Sequence, residues 1–164
     1  MGLGGDAVKI ETSGIDDVIR QMGEMQQLTG EVTKNMLRAG GNVLQRAWTD
    51  EANRQGYGSK STGDMIKSIG QTNPKETGNG LTIEVYPKGM GQLQGKRKKW
   101  QVRNSVKAFV LHHGRKGRGV IRGSQWVDKV AENAADDASN AMAEVWGRFI
   151  ATGKVPKVKK MKQK

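Results

Sequence analysis

Between Ser124 and Phe149 the chain sets Val127, Val130, Ala131, Ala134, Ala138, Ala141, Met142, Val145 and Phe149 at three- and four-residue steps. This is the period of a helix with one apolar face. No other stretch constrains the fold as strongly. A helix of this length with an alanine-rich middle hides its stripe by packing tightly against another helix or a sheet. Ser124 is placed to cap its start. Trp126 and Trp146 lie near its ends, and Trp48 and Trp146, close to apolar faces, are expected in the core.

Two earlier runs share the helical period. Ser13 and Asp16 have the spacing of a capping box, and Ile15, Val18, Ile19, Met22, Met25 and Leu28 follow, with Gly30 as the expected stop. A second run carries Val32, Met36, Ala39, Val43, Ala47 and Trp48 and ends near Arg54. Gly40 and Gly41 inside it each cost about 1 kcal/mol of helix propensity, so they are read as sites of close packing.

After a loop over 55–63 and a short segment from Met65 to Ile69, Leu81, Ile83 and Val85 alternate with Thr82, Glu84 and Tyr86. That is the period of a half-buried strand. Pro74, Gly78 and Gly80 supply turn chemistry, which predicts a hairpin between Ile69–Thr72 and Leu81–Tyr86. Residues 88–104 lack a clear period and read as a long basic loop. Val106–Leu111 is a short apolar element closed by Gly114, and 114–123 reads as a second basic loop.

The expected fold class is therefore α+β: two N-terminal amphipathic helices, a small antiparallel sheet with long basic loops, and a long C-terminal helix. The expected division is an N-terminal arm over 1–12, one domain over 13–151 and a basic tail over 152–164. The tail is low in complexity and expected to lack order in isolation.

Composition narrows the chemistry. The 164 residues contain no cysteine, which excludes disulfides, thiolate nucleophiles and cysteine-based zinc sites. His112 and His113 are the sole histidines, and neither a metal nor a cofactor is expected. One histidine is expected to pack at the domain edge and the other to face solvent. The Gly114–Gly119 stretch lacks the phosphate-cradling pattern of nucleotide-binding loops. Acids are scattered, with Asp136 and Asp137 read as solvent-facing, so a metal-dependent enzyme is a poor fit. No stretch is apolar enough to span a bilayer and residues 1–10 carry no leader pattern, so the chain is expected to be soluble and made inside the cell, with no membrane contact.

The net charge is +12, and its distribution points to partners. No acid occurs between Glu84 and Asp128, a stretch carrying eleven lysines and arginines. Candidate contacts to a partner or to DNA are Lys96, Arg97, Lys98, Lys99, Trp100, Arg103, Arg115, Lys116, Arg118 and Arg122. Candidate tail contacts are Lys157, Lys159, Lys160 and Lys162. Such groups bind a phosphate polymer in a sequence-independent, salt-sensitive way, and they equally suit an acidic protein surface. Trp100 can stack on a base or anchor a subunit interface, and the interface is favoured because a duplex offers no splayed bases.

The segment Ser61-Thr62-Gly63-Asp64-Met65-Ile66-Lys67-Ser68-Ile69 resembles the D-T-G-x-L-x-x-S-I segment of the neck and tail-completion family of long-tailed bacteriophages. Val106-Lys107-Ala108-Phe109-Val110-Leu111-His112-His113-Gly114 is similar to that family's Y-A-x-x-V-E-x-G segment, and a C-terminal helix from near Gln125-Trp126-Val127 completes the order. Here Ser61 stands for the usual acid and His113 for the usual glutamate. The resemblance spans roughly Ile10 to Ile150. It implies a small α+β structural protein of the virion, made in the host bacterial cytoplasm and acting without catalysis. Its implied partners are further copies of itself in a six-fold ring, the neighbouring neck and tail proteins, and genomic DNA in the lumen. The alternative from the residues alone is a sequence-independent nucleic-acid-binding protein, although no helix-turn-helix, zinc or RNP signature is present.

Overall fold

The computed structural model describes residues 13–58, 62–77, 80–94, 99–117 and 120–162, with side chains from Leu28 onward except that of Gln94. The fold is α+β. Helices α1 (Ser13–Arg54), α2 (Gly63–Lys67), α3 (Asn104–His113) and α4 (Trp126–Thr152) are joined by short strands paired in antiparallel ribbons.

α1 corrects the expectation of two N-terminal helices: it is one helix of 42 residues. A glycine weakens a helix without ending it, and termination usually comes from a left-handed residue whose backbone satisfies the last carbonyls. Gly30 keeps helical backbone within α1. The stop is at Gly56, with φ 76°, where the Gln55 and Tyr57 amides bond back to the Glu51 and Ala52 carbonyls at 2.9 and 3.0 Å.

α4 packs antiparallel along α1, with Gly40 against Ala138 and Met142 and Ala52 in one cluster with Trp126 and Val130. Its buried stripe is Val130, Ala134, Ala138 and Val145, whereas Ala131 and Trp146 are exposed, contrary to expectation. Gly40 and Gly41 fulfil the packing role read from the sequence. A β-carbon on Gly40 would stand 3.0 Å from the Met142 sulfur, and one on Gly41 would stand 2.5 Å from the Gln71 side-chain oxygen. Met142 is flexible and only half-buried, but Gln71 is fully buried and bonded to Asn42 at 2.5 Å. Gly41→Ala is therefore expected to destabilise by about 1–2 kcal/mol through overpacking, while Gly40→Ala stays within about 0.5 kcal/mol of neutral as propensity offsets crowding. Urea unfolding of the two variants checks the contrast.

Glu51, buried near the end of α1, accepts from Gln55 Nε2 at 2.7 Å and pairs with Arg54. The Gln55 hydrogen bond, reinforced by Arg54 and opposed by burial, holds its carboxyl below the ordinary 4.5. A depressed carboxyl contributes stability above its unfolded pKa, and that stability is lost as pH falls through the folded value. Wild type is thus expected to lose stability below about pH 4.5, and Glu51→Gln to lose less over the same range. Thermal midpoints measured from pH 6 to pH 3 check this.

The expected hairpin is present in two tiers. β1 (Ile69–Gln71) pairs with β4 (Val85–Pro87). β2 (Lys75–Thr77) pairs with β3 (Gly80–Thr82). Between them the Thr72 amide bonds the Glu84 carbonyl at 2.8 Å, and the Glu84 amide bonds the Thr72 hydroxyl at 3.0 Å. Leu81, Ile83 and Val85 are half-buried and their alternates exposed, as their period requires.

The two segments read as long basic loops are hairpins at their described residues. β5 (Met90–Gln94) pairs with β6 (Lys99–Arg103), and β7 (Gly114–Arg115) with β8 (Ile121–Arg122). Glycines and lysines obscured the period of β5 and β6, which reappears once Leu93 is paired with Trp100 and Gly91 with Val102.

The centre of the core is Trp126, fully buried at the start of α4 among Ala52, Met65, Ile66, Ile69, Ala108 and Val130. Its ring meets Trp48 edge-on at 5.1 Å and Tyr57 at 5.8 Å. Ser124 does not cap α4. Gln125, in the left-handed region at φ 50°, precedes the helix, and the Ser124 hydroxyl lies 2.7 Å from that of Tyr57.

The C-terminal tail is not free. After Gly153, at φ 63°, residues 155–162 follow α1, from Val155 and Val158 beside Glu31 and Asn35 to Met161 beside Gln45 and Arg46. Val155, Val158 and Met161 are half-buried, while Lys157, Lys159, Lys160 and Lys162 face outward. Asn42 clasps the strap: its Nδ2 donates to the Lys159 carbonyl at 3.0 Å, and its Oδ1 accepts from the Met161 amide at 2.8 Å. The lengths match. Fifteen residues of helix from Glu31 to Arg46 rise about 22 Å, and six extended steps from Val155 to Met161 cover about 20 Å. The density of lysine in the sequence hid the apolar residues that seat this strap.

Candidate interaction surface

α3 organises the surface. Asn104 Nδ2 donates to the Lys88 carbonyl at 2.9 Å, and the buried Lys107 ammonium donates to the Gln92 carbonyl at 2.9 Å, so α3 holds the base of the β5–β6 hairpin. From the other side the Gln92 amide donates to the Asp64 carboxylate at 3.1 Å. α3 ends at Gly114, φ 85°, where a β-carbon would lie 2.6 Å from the Ile121 carbonyl, so glycine is needed for β8 to pass. The two basic hairpins thus leave opposite ends of a ten-residue helix, about 15 Å apart.

On β5–β6, Met90, Gln92, Gln101, Arg103 and Lys99 are exposed on one face. The other face begins with buried Gly91 and half-buried Val102 and continues outward to Leu93 and Trp100, the latter 55% exposed. The hairpin therefore carries an apolar pair beyond the point where α3 supports it. Lys96, Arg97 and Lys98 lie outside the described residues, as does Arg118. On the second hairpin Arg115, Lys116 and Arg122 are exposed beside Val120, which is 72% exposed. Between the hairpins Val106 and Phe109 also face solvent, Phe109 at 62%. Exposed aromatic and aliphatic groups set among cations make this the candidate association surface of the fold. Sequence reasoning singled out the cations and Trp100 and passed over Phe109 and Val120. The strict three-residue step from Val106 to Phe109 on a short helix was the available signal.

The strap lysines Lys157, Lys159, Lys160 and Lys162 are not part of this surface. They line the flank of α1, where Lys160 and Lys162 approach Lys88 across one cavity. The histidines divide as expected. His112 is half-buried, accepts from the Val127 amide at 3.4 Å and lies 3.7 Å from Asp128, which together secure the start of α4. His113 is exposed against Phe109, ring centres 4.4 Å apart. Among the described residues no group of three or more His, Cys, Asp or Glu is placed to hold a metal, and no helix is long and apolar enough to cross a membrane.

The Thr62–Ile69 segment is a folding device. The Thr62 hydroxyl donates to the Tyr57 carbonyl, Met65, Ile66 and Ile69 enter the core, and the Ser68 hydroxyl bonds the Met65 carbonyl at 2.7 Å. Ser61 lies outside the described residues.

Residues 16–90 match the model of the HK97-gp10-like family, described as "Bacteriophage HK97-gp10, putative tail-component". The match contains the Thr62–Gly63 and Ser68–Ile69 motif and supports the resemblance to phage neck and tail-completion proteins. α3, α4 and both basic hairpins, apart from Met90, lie beyond it. No curated protein and no solved structure matches the chain.

Proposed function

We propose that this chain is a structural subunit of the phage virion at the head–tail junction, acting in tail completion as one member of a ring about the tail axis and performing no catalysis. The observation that carries this reading is α3 with a hairpin at each end, which together present Trp100, Phe109 and Val120 among basic side chains on a helical body. The family match supports a tail component. In a closed ring one face of a subunit meets a different face of the next, which projecting hairpins are suited to bridge. Its partners are then further copies of itself, six-fold, and adjacent neck and tail proteins, with genomic DNA passing through the lumen.

Sequence-independent nucleic-acid binding is the second reading, favoured by the exposure of Lys99, Arg103, Lys116 and Arg122. Genetic removal of the chain separates the two. A junction subunit leaves full heads and finished tails unjoined in electron micrographs. Joined, infective particles formed without it would overturn the structural reading.

A further inference from the structure

The two basic zones of the sequence meet where the C-terminal strap crosses the end of β4. A cavity of about 420 Å³ lies there, lined by Gly70, Gln71, Lys88, Lys160, Met161 and Lys162, with no acidic residue in its wall. The Lys88 ammonium is held in place by donating to the Gln71 carbonyl at 2.6 Å. Burial, then the charges of Lys160 and Lys75, hold the Lys88 ammonium below the ordinary lysine range. Among the described residues none of these four lysines forms an ion pair with a carboxylate. Among the described residues, like charges converge here with no carboxylate paired to them.

The convergence is built by the fold. Asn42 bonds the backbone on both sides of Lys160, to the Lys159 carbonyl and the Met161 amide, and is itself bonded by Gln71. One side chain therefore fixes the strap lysine beside Lys88.

We propose that Lys88, Lys160 and Lys162, with Lys75 nearby, form a cradle for a phosphate group of a duplex DNA backbone. A phosphate tetrahedron offers oxygens to several ammonium groups at once, and lysine serves phosphate as a point charge. A carboxylate presents its two oxygens in a single plane. The exposed lysines continue from the cradle along the strap to Lys157, a row of about 17 Å that suits a linear polyanion rather than an isolated phosphate. The site is distinct from the hairpin surface, and DNA binding by the isolated chain is a readout separate from incorporation into particles.

The test is fluorescence anisotropy of the full chain with a short labelled duplex over a series of salt concentrations. Lys88→Gln with Lys160→Gln is expected to weaken binding about ten-fold at low salt and to reduce the salt slope by about one. Lys160→Gln with Lys162→Gln, both on exposed residues, repeats the test without touching the β-ribbon. Lys157→Gln with Lys159→Gln removes the same charge from the same strap and is expected to do less. Asn42→Ala removes no charge yet is expected to weaken binding by releasing Lys160. Equal losses from the two strap pairs, or full affinity in Asn42→Ala, would overturn the cradle. Tripolyphosphate is expected to displace the duplex, and displacement by poly-glutamate at equal charge concentration would overturn the choice of phosphate over an acidic protein.

Discussion

Replacing Trp126 with alanine is expected to lower stability by about 3–5 kcal/mol, the cost of truncating a buried tryptophan into a core that cannot fully collapse. Trp126 is fully buried and joins three elements: it opens α4, meets Trp48 of α1 at 5.1 Å, and packs with Met65 and Ile66 of α2. In a domain of this size each kcal/mol moves the thermal midpoint by about 2–4 °C, so the midpoint is expected to fall by about 6–20 °C. Trp126→Phe keeps a ring against Trp48 and removes the indole N–H, a buried donor without a hydrogen-bond partner among the described atoms. Its loss is expected to be less than half as large. Circular dichroism melts of both variants decide the matter, and a loss below about 1 kcal/mol for the alanine would contradict Trp126 as the centre of the core.

The second large effect is functional and rests on the proposed role. Exchanging residues 95–98 for Asn-Gly is expected to abolish joining of heads to tails while leaving the fold intact. Gln94 and Lys99 are cross-strand partners, and a two-residue Asn-Gly turn closes such a pair with the twist of its strands. The exchange removes Lys96, Arg97 and Lys98. The hairpin base keeps its anchors, from Asn104 to the Lys88 carbonyl, from Lys107 to the Gln92 carbonyl and from the Gln92 amide to Asp64. The melting midpoint should stay within about 2 °C of wild type, as for other exposed changes. Particle assays that still show joined heads and tails would remove this hairpin from the junction, and an unfolded variant would mean the tip belongs to the core.

Where the sequence signal was a single strong period, the fold was legible. The α4 stripe apart from Ala131, the alternation of Leu81, Ile83 and Val85, and the tight packing at Gly40 and Gly41 appear in the structure. Where two signals competed, it was not. Gly30 looked like a stop because propensity is local, whereas α1 is held by packing along α4 and ends at the left-handed Gly56. The β5–β6 hairpin was obscured because its inward residues are few, and its pairing depends on α3 anchors far along the chain. The strap was missed because Val155, Val158 and Met161 are outnumbered by lysines, while their partner Asn42 lies more than a hundred residues away. For the site, charge flagged Lys99, Trp100 and Arg103. Nothing local could bring Lys88 and Lys160 together, since only the folded strap does that.

In the proposed role this chain is a built-in part of the particle. The most direct test of that role is quantitative mass spectrometry of purified particles, measuring this protein relative to the portal subunit. A fixed ratio corresponding to one small ring per particle is expected. Absence from particles in cells that express the chain would contradict it.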